Sequence, residues 1–94
     1  MTLYVLICRD KPNALPLRMA TRSAHLAYAG AWSDKVQLGG PILDDKGDMA
    51  GSLLILEGES DEVARTFNRD DPYTLAGLFE SVQILPFRAT VGNL

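Results

Sequence analysis

One cysteine, one histidine and one tryptophan make this chain of 94 residues poor in the groups from which most protein chemistry is built. The lone Cys8 cannot close an intrachain bridge and rules out a zinc site made of several cysteines, which points to a reducing compartment and a cytoplasmic location. Basic residues are also scarce: nine Lys and Arg against twelve Asp and Glu give a net charge of −3, and no two basic residues are adjacent. Such a chain has no electrostatic footprint for a nucleic-acid backbone or an anionic membrane. No apolar run approaches the roughly 20 residues of a membrane span, and Met1 to Arg9 lacks the basic start and cleavage pattern of a signal peptide. Glycine-rich phosphate loops are missing too, so no nucleotide cofactor has a seat and no cofactor is expected. Asp44-Asp45-Lys46-Gly47-Asp48 lacks the spacing of a calcium loop and reads as a solvated turn; no metal is expected. There is no repeat, low-complexity stretch or linker, so residues 1–94 form one domain.

What is present is a 47% hydrophobic chain whose patterns alternate between strand and helix. Leu3 to Cys8 is a short apolar run rich in β-branched and aromatic residues, ended by the polar Arg9-Asp10-Lys11-Pro12-Asn13, and reads as a strand. From Leu15 to Trp32, Pro16 suits a first helical turn, alanines are frequent, and Leu15, Met19 and Leu26 fall at helical spacing. Val36 to Leu43 reads as a strand interrupted at Gly39-Gly40-Pro41, where a bulge or strand end is expected. A turn leads to a second strand beginning at Gly51-Ser52. Ser60 is placed to cap a helix with Asp61 and Glu62 in its first turn and Val63, Ala64 and Phe67 facing inward, ending near Arg69. Asp70-Asp71-Pro72-Tyr73 opens a single turn reaching Gly77. Ser81 to Arg88 alternates as a last strand, with Pro86 marking it as an edge or bulge.

The order β-α-β-β-α-β is the split βαβ pattern, an α+β fold in which both helices cover one face of a four-stranded antiparallel sheet. The other face is left bare. Since the first and third strands are apolar on both sides, a second copy of the chain is expected to cover it, giving a homodimer through sheet faces.

His25 is the residue most suited to proton transfer, and it shares a polar helical stripe with Arg18, Arg22 and Tyr28. It needs a carboxylate to fix its tautomer; alone, a helical histidine reads equally as a surface or satisfied residue. Asp71 is the chosen partner, because the loop leaving the second helix can reach the first. An Asp before Pro is also a routine helix cap, since Pro72 pushes it out of the α region. The two roles are compatible, as a helix N-terminus favours a charged carboxylate and a carboxylate strengthens a neighbouring imidazole as a base. Ser52 offers a hydroxyl to a ligand oxygen, though no nucleophile elbow surrounds it. Gly40 permits close approach of a ligand to the backbone. Tyr28 and Tyr73 either donate to a ligand or roof the core, and Cys8 reads as an inert core residue.

Arg22-Ser23-Ala24-His25-Leu26, Gly40-Pro41, Gly51-Ser52, Asp71-Pro72-Tyr73 with Ala76-Gly77, and Pro86-Phe87-Arg88 together resemble the YciI-like, or YCII-related, family over nearly the whole chain. The resemblance implies a ferredoxin-like domain that dimerises through its sheets into an α/β barrel, with a His-Asp active site at the positions of His25 and Asp71. It also implies kinship with a dehydrochlorinase of a chlorinated hydroxyhydroquinone, without carrying over the substrate. The acidic residue that many relatives hold after the first helix matches Asp34 only loosely, so Asp34 is left out of the catalytic set. Arg18 is given no role.

The resulting expectation is a small cofactor-independent lyase or isomerase. His25 takes a proton from a phenolic or carbonyl-activated metabolite, Asp71 orients it, Arg22 faces a developing oxyanion, and Ser52, Tyr73 and Gly40 bind the substrate. The alternative is a non-catalytic dimeric module that binds a small ligand or a protein, with His25 and Asp71 as a structural pair.

Overall fold

The computed structural model describes all of Met1–Leu94. Its elements are β1 (Thr2–Asp10), α1 (Leu15–Gly30), β2 (Val36–Leu43), β3 (Met49–Gly58), α2 (Glu62–Asp70), α3 (Pro72–Leu75) and β4 (Phe79–Phe87). The strands form one antiparallel sheet in the order β2-β3-β1-β4, so the proline-bearing β4 is indeed an edge. No helix is long and apolar enough to cross a membrane.

Strand register sorts the side chains into two faces. Leu6 lies opposite Leu54 and Ile84, and Cys8 opposite Ser52 and Val82. On this side Leu6, Cys8, Leu54 and Leu56 pack against Ala64 and Phe67 of α2, with Tyr28 and Trp32 closing the cluster. On the other side Leu3, Val5, Ile7, Leu53 and Ile55 run down the two central strands, flanked by Leu38, Leu85 and Phe87. These last three are about half exposed, so an apolar sheet face lies open.

Four local expectations change. The first helix stops at Gly30 instead of Trp32, and Trp32 enters the aromatic cluster. The Gly39-Gly40-Pro41 stretch does not interrupt β2; the irregularities lie between Val36 and Leu38 and between Ile42 and Leu43. Asp61, not Ser60, occupies the cap of α2, where the Ser60 hydroxyl accepts from the Glu62 N–H at 3.3 Å. Most consequentially, Met19 and Leu26 of α1 are half exposed, while Arg18 and His25 are its buried residues.

Cys8 is buried, and its thiol is pushed up to about 12, chiefly by burial and then by the nearby Asp71 carboxylate. It should resist iodoacetamide at pH 8 except as fast as the domain unfolds, as measured by native and denatured labelling rates. A thiol raised above its unfolded value of about 8.5 contributes stability that is full below that pH and lost above it. Denaturant midpoints should therefore fall above pH 9, less steeply in Cys8→Ala.

Two glycines should respond oppositely to alanine. A Cβ at Gly51 would lie 2.6 Å from the Cys8 carbonyl oxygen, whereas at Gly30, which ends α1, it would meet nothing within 4 Å. Gly51→Ala is expected to lower Tm by roughly 10 °C, and Gly30→Ala to raise it by a few degrees.

Candidate functional site

The site begins with the inward stripe of α1. Arg18, Arg22 and His25 stand at positions i, i+4 and i+7 and so share one helical face. The face looks onto β2 and β3, where Gly39 and Pro41 lie opposite Leu54 and Ser52. Between them is a cavity of about 170 Å³ lined by the polar Arg18, Arg22, His25, Ser52 and Tyr73 and by apolar residues that include Leu26, Val36 and Leu54. A cavity of about 150 Å³ holds benzene, so this one suits a single-ring ligand.

Asp71 reaches His25 through a backbone constraint. Pro72 forbids the α conformation to the residue before it, and Asp71 accordingly stands at φ −60°, ψ 130°, as the cap of α3. Its Oδ1 accepts from the Tyr73 backbone N–H at 3.0 Å and also lies 2.9 Å from His25 Nδ1, with Oδ2 at 3.1 Å. Cap and pairing thus use the same carboxylate, which is 2% exposed. A carboxylate oxygen accepts, so Nδ1 is the donor of this pair. Every fully buried side-chain nitrogen or oxygen has a hydrogen-bond partner, and Nε2 has none within the chain, so Nε2 is not fully enclosed, in a side chain that lines the cavity.

Tyr73 follows Asp71 by two residues and is placed by the same turn. Its ring stacks on His25 at 4.1 Å between centroids, with planes 16° apart, while the Arg18 guanidinium lies over it at 4.5 Å. Two residues seven apart on a helix are separated by about 10 Å along its axis, room for one ring, and Tyr73 fills that gap. Burial pushes the Tyr73 phenol up while Arg18 and Arg22 draw it back, and the net direction is upward. At neutral pH it is a neutral donor.

Arg18 is held by Asp10 through a fork of two bonds, Nε to Oδ2 at 2.7 Å and Nη2 to Oδ1 at 2.9 Å, and Nη2 also donates to Ser52 Oγ at 2.9 Å. Burial works against its charge, and the Asp10 carboxylate more than reverses that, so the guanidinium stays ionised although only 2% exposed. Arg22 is exposed at the mouth of the cavity and pairs with no carboxylate.

The structure therefore brings together His25, Asp71, Arg22, Ser52 and Tyr73 around one cavity. Gly40 lines the cavity through its backbone, since register puts its α-hydrogens on the Leu53 face of the sheet. The Ser52 oxygen accepts from Arg18 Nη2 at 2.9 Å, and its hydroxyl donates to no group of the protein. Tyr28 belongs to the core, its hydroxyl donating to the Phe67 carbonyl at 3.0 Å. Asp34 is exposed and outside the cavity. Arg18 and Asp10 are what sequence reasoning missed. Strand alternation held the signal for Asp10, which shares the face of Leu6 and Cys8; helical spacing held that for Arg18. No group of three or more His, Cys, Asp or Glu side chains is placed to hold a metal ion.

Comparison with known proteins agrees with this arrangement of elements. The chain is 37% identical over 94 residues to protein YciI of Escherichia coli O6:H1, covering 92% of this chain and 96% of that one. It superposes with a TM-score of 0.85 and 36% identity on the 5-chloro-2-hydroxyhydroquinone dehydrochlorinase of Burkholderia phenoliruptrix AC1100, in complex with 2,5-dihydroxybenzoquinone, over 94% and 95% of the two chains. An antibiotic biosynthesis monooxygenase shares the ferredoxin-like fold alone, at a TM-score of 0.57 and 11% identity over 97% of this chain and all of that one. With the YCII-related domain matching residues 2–88 as well, the chain belongs to the YCII-related family.

Proposed function

We propose that this protein is a small cofactor-independent enzyme of the lyase or isomerase type acting on a single-ring phenolic or carbonyl-activated metabolite. The observation that carries the reading is His25 Nδ1 bonded to Asp71 at 2.9 Å while Nε2 has no partner in the chain and the side chain lines the cavity, the arrangement a general base requires. Nε2 takes a proton from a ring hydroxyl or an activated carbon, and Asp71 stabilises the imidazolium that forms. The electron pair left on the substrate then expels a leaving group with its bonding pair, or the proton returns to another ring position. Arg22 faces the developing oxyanion, and the Tyr73 and Ser52 hydroxyls hold ring oxygens. The likeness to the dehydrochlorinase supports a hydroxylated, halogen-bearing ring as the first substrate to try.

A non-catalytic ligand-binding module is the second reading. It is favoured by the cap that Asp71 provides to α3, which explains the buried carboxylate without chemistry. Asp71→Asn separates the two, because asparagine caps a helix about as well as aspartate but cannot stabilise an imidazolium. Chloride release and quinone absorbance from 5-chloro-2-hydroxyhydroquinone should fall at least a hundredfold in both His25→Ala and Asp71→Asn, with the Tm of Asp71→Asn within a few degrees of wild type. Turnover that survives His25→Ala removes it as the base, and a wild-type protein that binds the ring without turning it over favours the module.

The homodimer is part of the same proposal, since the open sheet face of Leu3, Val5, Ile7, Leu53 and Ile55 is an apolar surface suited to a second copy. Sedimentation at micromolar concentration should give a dimer, and Leu85→Lys, at a site already half exposed in the single chain, should give a folded monomer. A wild-type monomer at that concentration would count against it.

A further inference from the structure

We infer that the buried Arg18–Asp10 pair is a positioning unit that makes Ser52 an obligate hydrogen-bond donor to a ligand oxygen in the cavity, a role that rests on the reading of the cavity as a phenolic site. A guanidinium has donors only, so the 2.9 Å contact from Arg18 Nη2 obliges Ser52 Oγ to accept. The one proton of that hydroxyl then has no acceptor within the protein, and the side chain lines the cavity. Donation from a charged group polarises the hydroxyl and strengthens it as a donor. Asp10 makes this fixed: its two oxygens grip Nε and Nη2 at 2.7 and 2.9 Å, which sets the plane of the guanidinium and aims Nη2 at Ser52. Arg18 lines the cavity beside Ser52 at 2% exposure, with Nε and Nη2 both engaged. Through Nη2 it acts on a ligand by way of Ser52, whereas Arg22 at the mouth is an exposed cation paired with no carboxylate. The consequence is selectivity for ligands that present an acceptor, a carbonyl or phenolate oxygen, where Ser52 points.

The test uses 4-nitrocatechol, a single-ring phenolate whose absorption band moves to longer wavelength when a donor to its phenolate oxygen is lost. Wild type, Ser52→Ala, Arg18→Lys and the double variant are titrated with it. Lysine keeps a charge for Asp10 but lacks the fork that reaches Asp10 and Ser52 together. Ser52→Ala and Arg18→Lys should each weaken binding about tenfold and shift the bound band to the red, and the double variant should lose no more than either alone. Additive losses, or an Arg18→Lys protein with wild-type affinity and band position, overturn the inference. If Arg18→Lys does not melt cooperatively, Asp10→Asn takes its place with the same red shift expected, and an unshifted band overturns the inference equally. A wild-type protein that does not bind the probe at millimolar concentration overturns the phenolic-site reading beneath it, a result distinct from binding that is insensitive to Arg18.

Discussion

The inner face of α1 carries charge where a helix packed on a sheet ordinarily carries leucine, and the remainder of the site follows from the need to partner that charge. An ionised guanidinium and an imidazole cannot be buried without hydrogen-bonded partners, because the cost of desolvation is several kcal/mol for an unpaired ion. The fold supplies them from three directions: Asp10 at the end of β1, Ser52 on β3 and Asp71 at the start of α3. No fully buried side-chain nitrogen or oxygen is left without a partner. The polar network binds α1 to the sheet and to α3, while α2 and the aromatic cluster supply the apolar packing at the other end.

Asp71 shows how little sequence is needed to build half of such a site. One proline fixes the backbone before it, the fixed backbone turns the carboxylate onto the first free N–H of α3, and the same oxygen is then in reach of α1. Tyr73, two residues on, is delivered by that turn to the face of the imidazole. Gly77, with φ at 75°, ends α3 in a conformation few other residues adopt, and returns the chain toward β4.

Those parts of the molecule governed by local rules were legible in the sequence. Short apolar runs gave the strands, Pro16 and the alanines gave α1, and Pro72 gave the turn that holds Asp71. The stripe of Arg18, Arg22 and His25 was also visible, because helical spacing needs no tertiary knowledge. Arg18 and Asp10 escaped, since each reads as an ordinary solvated charge until the other is placed beside it, and their separation across β1 and α1 is set only by packing. The exposure of Met19 and Leu26 escaped for the same reason: hydrophobicity predicts burial unless buried charges elsewhere on the helix are better partnered. The family resemblance located His25 and Asp71 but was silent on the hydrogen bond that decides which way the Ser52 hydroxyl faces.

The ring of Tyr73, set between two side chains that stand two turns apart on α1, works as a tooth between the pegs of a rack. Sliding α1 along its axis by even part of a turn would unstack His25, tear the Arg18 fork from Asp10 and strand the Asp71 carboxylate together. The helical wall of the cavity is therefore indexed to one position. Any adjustment to ligands of different breadth falls to the opposite wall, the free edge of the sheet at β2, where Gly39 and Gly40 leave the strand without side-chain bulk.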